Sequence, residues 1–92
     1  MEKVERQEIL SMLAEKAGAT VDELRSHSHL QRIADARSMV AAALIEMPEI
    51  RQVDIATLMG TSQAAVSKML SRHRDRAQYY PSYRRKWESV IN

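Results

Sequence analysis

The chain has 92 residues, two glycines, two prolines, no cysteine and a formal net charge of only +2. That length supports one domain around a single core, and the lack of cysteine leaves neither a disulfide framework nor a thiolate metal site. No apolar run approaches the ~18 residues of a membrane span, and the acidic, amphipathic N-terminus does not read as a signal peptide. The expectation is a cytoplasmic protein with no membrane contact. Ala, Leu, Ile, Val and Met supply most of the apolar content and Phe is absent. This usage favours an all-α fold, a small bundle of five or six helices.

Residues 2–17 place Val4, Ile9, Leu10, Leu13 and Ala17 at helical spacing among Glu, Lys and Arg. Glu2 and Glu5 suit the positive end of such a helix, Lys16 suits the negative end, and Gly18 is a natural stop. Thr20 followed by Glu23 forms a capping box, so a short helix runs from Val21 to about Arg25 and docks through Leu24. From Arg25 to Arg32 the chain is polar and weakly periodic, which reads as a loop, or a frayed helix end, with a basic group at each edge. A long helix then covers about Leu30–Glu46, with Ile33, Ala36, Val40, Ala43, Leu44 and Met47 as its apolar stripe. It is the expected centre of the bundle, and Pro48 ends it.

The next stretch, Gln52–Arg74, organises the chain. It reads as two helices joined by a tight turn at Met59-Gly60-Thr61, and so as a helix-turn-helix within the bundle. Gly60 takes positive φ without steric cost, and Ala56, four residues earlier, lets the two helices cross closely. Val53, Ile55, Ala56, Leu58 and Met59 form the expected buried side of the first helix; Val66, Met69 and Leu70 form that of the second, which runs from Ser62 to about Arg74. Ser62 or Thr61 caps the second helix. Its outer face carries Ser62, Gln63, Ala64, Ser67, Lys68, Ser71 and Arg72, short polar or basic groups of the kind that meet base edges and phosphates.

Charge is divided unevenly along the chain. Residues 1–50 hold 6 Lys/Arg against 9 Asp/Glu, whereas residues 51–92 hold 8 against 3. Positive potential therefore gathers on the helix-turn-helix and the tail, where phosphates would be met. On this reading Gln63 pairs with adenine, Ala64 touches a thymine methyl, and Ser67 and Lys68 reach base edges or phosphates. Thr61, Ser71, Arg72, His73 and Arg74 fix the register on the backbone.

Beyond Arg76, Tyr79, Tyr80, Pro81 and Tyr83 suggest an ordered linker, and Arg84–Ile91 a last short helix with Trp87, Val90 and Ile91 on one side. Residues 1–77 are thus read as the domain and 78–92 as an extension. The extension serves either as the arm of a homodimer or as a segment that folds Trp87 back onto its own core. Nothing in the sequence reads as an enzyme or calls for a cofactor. No Ser, His and Asp set stands out, His27 and His29 lack a third metal ligand, and Met39, Met47, Met59 and Met69 read as core filler. A tyrosine nucleophile at Tyr79 or Tyr80 would need a metal-binding histidine pair on a strand, and no strand is predicted.

Three stretches, ILSMLAEKAGATVDELRS, IADARSMVAAALIEMPEIRQVDIATLMG and TSQAAVSKMLSRH, resemble in order the C-terminal DNA-binding domain of the bacterial replication initiator DnaA. That domain belongs to the Trp-repressor-like helix-turn-helix group. The likeness covers about three quarters of the chain, and a similar domain occurs on REP-associated transposases. The resemblance implies a minor-groove arginine in the loop before the long helix, a place that Arg25 or Arg32 fills, and a backbone-contacting arginine near the start of that helix, at Arg37. The family opens its recognition helix with Gly-Arg-Asp-His-Thr/Ser-Thr-Val. Here Gly60-Thr61-Ser62-Gln63-Ala64-Ala65-Val66 keeps only the glycine and the valine. From Ser62 to Lys68 the sequence is closer to phage-type repressors. With no P-loop, the expectation is a double-stranded DNA-binding module, a bacterial or phage regulator of transcription or replication. The alternative is an adaptor or inhibitor that uses the same scaffold to engage a replication or transcription protein.

Overall fold

Six helices, and no strand among the described residues, make up the structure: α1 Lys3–Lys16, α2 Val21–Arg25, α3 Gln31–Ile45, α4 Gln52–Met59, α5 Gln63–Tyr79 and α6 Pro81–Ile91. It is a computed structural model describing residues 3–92, with side chains from Glu5 onward. Glu2 and the side chain of Val4, expected in the first helix, lie outside the described residues.

Local chemistry accounts for most of the helix ends. Helix α1 stops where Gly18 turns to φ +82°, with the Gly18 and Ala19 N–H groups donating to the carbonyls of Glu15 and Ala14. The capping box of α2 forms as expected: Thr20 Oγ1 accepts from the Glu23 N–H at 3.1 Å, and Glu23 Oε1 accepts from the Thr20 N–H at 3.0 Å. Helix α4 closes on Gly60 at φ 63° and ψ 42°, with the Thr61 N–H on the Ala56 carbonyl at 2.9 Å.

Helix α3 is the hub. It packs against each of the other five helices, and Met39, Val40, Ala41 and Leu44 are almost fully buried on it. Its small residues let neighbours approach on several sides at once. Ser38, also fully buried, donates its hydroxyl to the Ala34 carbonyl and so leaves no orphan.

Two expectations need correction. Val53 is 41 % exposed rather than buried. The core face of α4 is set by Ile55, Leu58 and Met59, and at 100° per residue Val53 falls on the side of exposed Thr57 instead. Helix α5 also runs to Tyr79, well past Arg74. No Gly or Pro interrupts residues 75–80, so nothing stops the helix until Tyr80, the residue before Pro81.

The segment expected as a linker is therefore a single-residue junction. Pro81 opens α6 at its first turn, and Arg84 reaches back to donate to the carbonyls of Ala77 and Gln78 at 2.8 and 2.9 Å, closing the C-terminus of α5. Tyr83 and Val90 enter the common core and Trp87 packs against it. The Cα radius of gyration is 11.9 Å, about that of one compact domain of this length, so the tail does not stand apart.

Candidate nucleic-acid interface

Ser62 caps α5 by accepting from the Ala65 N–H at 3.1 Å. Val66 then fixes the rotation of the helix by being fully buried, with Met69 and Leu70 half-buried beside it. This anchoring forces Gln63, Ala64, Ser67, Lys68, Ser71, Arg74, Asp75 and Gln78 outward, a continuous exposed stripe at i, i+3, i+4 and i+7 spacing. Thr61 and Ser62 are exposed at its N-terminal end. The sequence-predicted base-contact residues thus share one face, at the positive end of the helix dipole.

Ser67 is held on that face. Its hydroxyl donates to Gln52 Oε1 at 3.0 Å, so the start of α4 lies against the second turn of α5. The sequence reading passed over Gln52, and over Arg51 beside it, whose side chain is 80 % exposed. In two helices packed tip to base through a short turn, the first residues of one meet the middle of the other. Arg51 pairs loosely with Asp54 at 3.7 Å, while Asp54 also takes the Arg51 N–H at 2.9 Å. That backbone hydrogen bond is the main cause of its carboxyl lying below the ordinary range.

The 26–30 loop sits across a groove of about 260 Å³ from the turn, with Arg25, His27 and His29 on one wall and Thr61, Ala65 and Met69 on the other. Arg25 ties the two together. Its Nε donates to the Leu58 carbonyl at 3.0 Å and its Nη2 to Gln7 Oε1 at 3.2 Å. Of the two arginines at the loop edges, Arg25 alone lines this groove. Arg32 points elsewhere, to Glu23 at 2.7 Å and the Gly18 carbonyl at 2.8 Å. That pairing lowers the Glu23 carboxyl and raises the Arg32 guanidinium from their ordinary values.

Three other residues expected on DNA are engaged within the fold. Arg37 donates to the carbonyls of Leu24 and Ser28 at 2.9 and 2.8 Å and also to that of Ser26, and burial pushes its guanidinium down. It braces the loop. Arg72 pairs with Asp35 at 2.8 Å, where Arg76 also binds at 2.7 Å. His73 lies edge-on to Trp87 at 4.3 Å, with its Nδ1 2.9 Å from the Tyr83 hydroxyl. Burial is the main cause that lowers the imidazole, and the neighbouring Arg74 adds to it. The exposed cations left around the face are Lys68 and Arg74 on α5, with Arg51 and Arg25 at its margins.

Comparison with protein-family models, with curated proteins and with solved structures gives no match for this chain.

Proposed function

We propose that the protein binds double-stranded DNA in a sequence-specific way, with α4, the Gly60 turn and α5 acting as a helix-turn-helix and α5 entering the major groove. The observation that carries this reading is the exposed face of α5, where Gln63, Ala64, Ser67 and Lys68 stand together while Val66 anchors the opposite side. Gln63 is suited to the adenine edge, Ala64 to a thymine methyl, and Lys68 to guanine or a phosphate. Thr61, Ser71 and Arg74 would set the register on the backbone, and Arg25 would approach it from the loop across the groove. The resemblance to the DnaA C-terminal domain supports the same scaffold and a role in a bacterial or phage regulator of transcription or replication. The changed recognition-helix motif supports a target of its own.

A second reading has its own observation. Arg72 and Arg76 are both engaged by Asp35, and Ala64 is exposed, so the outer face is less cationic than its sequence suggests. A face of that kind also suits an adaptor that docks on a replication or transcription protein. Fluorescence anisotropy with a mixed-sequence duplex separates the two. DNA binding predicts retention at low salt that falls steeply as salt rises. It also predicts that Lys68→Ala plus Arg74→Ala weakens binding and flattens the salt slope. No retention at low salt would contradict it and favour the adaptor.

A further inference from the structure

A second groove, of about 710 Å³, opens where the C-terminal ends of α1 and α3 meet the second half of α6. Helix α6 sets its character. Tyr83 and Val90 are buried seven residues apart, so Trp87 between them lies on the same face and Ile91 stands at its edge, 52 % exposed. Trp87 and Met47 are half-buried in the groove, and Pro48 beside them is exposed. His73 packs edge-on against the indole at 4.3 Å, so the ring is held before anything docks on it. A large aromatic fixed in advance loses little entropy on binding and is the kind of residue that carries interface energy.

Two charged residues line the groove, Lys16 at the end of α1 and Glu46 at the end of α3. Both are exposed, and neither takes part in an ion pair among the described residues. One cation and one anion create no net field that would select a basic or an acidic partner. They do make the groove complementary to itself, because a two-fold axis brings the cation of one copy to the anion of the other and forms the second pair by symmetry. The rest of the lining is apolar, with Trp, Met and Ile, the composition of a homodimer centre rather than of a wet rim.

We propose that this groove is the interface of a symmetric homodimer, with Trp87 and Ile91 of each copy packed against the groove of the other and Lys16 paired with Glu46 across the two-fold axis. No residue of the exposed α5 stripe or of the loop–turn groove takes part, so both copies keep those faces free. The tail joins two copies through the face it builds on its own core, not as an arm that leaves it.

Sedimentation equilibrium of the whole chain without nucleic acid tests this, and its failure would leave the reading of α5 standing. The mass should rise with concentration from 10.5 kDa toward twice that value, at roughly micromolar chain. Emission from Trp87, the one tryptophan of the chain, should shift to the blue over the same range. Ile91→Glu sets a charge in the apolar centre and should weaken association about thirtyfold. Lys16→Glu and Glu46→Lys, both at exposed sites, should each weaken it about tenfold, because like charges then meet twice. An equimolar mixture of these two variants should recover the association of the parent, since each copy supplies the charge that the other lacks. A mass of one chain up to about 1 mM would overturn the proposal and leave the groove to a partner of another kind. Dimers that Ile91→Glu does not weaken, or a mixture that associates no better than its components, would overturn it as well.

Discussion

Gly60 sits at φ 63° and ψ 42°, and a Cβ placed there would meet only the Arg25 Cγ, at 3.9 Å. Space is therefore available, and the cost of a side chain is conformational. Gly60→Ala should lower stability by about 1–2 kcal/mol, the penalty of a left-handed L-residue. Gly60→Asn should lose less, since Asn tolerates this region, and urea midpoints would measure both.

His73 adds a pH dependence of the same local kind. Burial depresses its folded-state pKa below the unfolded value of 6.5, and Arg74 depresses it further while Glu46 partly opposes. The ring Nδ1 shares a hydrogen bond with the Tyr83 hydroxyl, whose own pKa is pushed upward by burial so that it keeps its proton. A depressed histidine means that the unfolded chain binds more protons than the folded one near and below pH 6.5. The stability it contributes is present above that pH and is lost as the pH falls. Melting temperature should drop across this window, and His73→Phe should flatten the drop. Glu23 and Asp54, whose carboxyls are also lowered, act only in the more acidic range.

At the scale of elements, Arg37 ties the 26–30 loop to the body of the fold. Its donors serve the carbonyls of Leu24, Ser26 and Ser28, joining the end of α2 and the loop to α3. Replacing it with Met should cost about 2 kcal/mol, the loss of charge-assisted bonds at a partly buried site. Hydrogen exchange should quicken in residues 24–30 ahead of the rest. What the sequence reveals at this scale divides by distance along the chain. The Thr20–Glu23 box, the Gly18 and Gly60 stops and the stripe of α3 are legible because each depends on residues within a turn or two. The brace made by Arg37 is hidden, since an arginine on a helical stripe looks the same whether it meets solvent or a loop nine to eleven residues back. Val53 misled for a related reason: an apolar residue on so short a helix is placed by its angle to the core, which only packing defines.

At the scale of the molecule, Asp35 joins α3 to α5 by holding Arg72 and Arg76, with Arg76 also lying over the Tyr80 ring at 4.3 Å. Asp35→Asn would leave two cations without their counter-charge. Thermal unfolding should register a loss of about 1–3 kcal/mol, less than for a fully buried pair because Arg72 keeps contact with water. This node explains why two of the basic residues on α5 are engaged within the fold, and no spacing rule could have paired positions 35, 72 and 76. The exposed stripe from Gln63 to Ser71 was legible, because Val66 sets the rotation of the helix by simple periodicity. Gln52 and Arg51 join it only through the packing of α4.

The central claim is that this stripe reads DNA sequence. The most direct measurement is selection of bound duplexes from a randomised library at two salt concentrations, with the parent chain and with Gln63→Ala plus Lys68→Ala. The account predicts one enriched motif with the parent, persisting at the higher salt, and its loss in the double variant, each good base contact being worth about 1–3 kcal/mol of discrimination. Failure to enrich any motif, or the same motif enriched by the double variant, would contradict it.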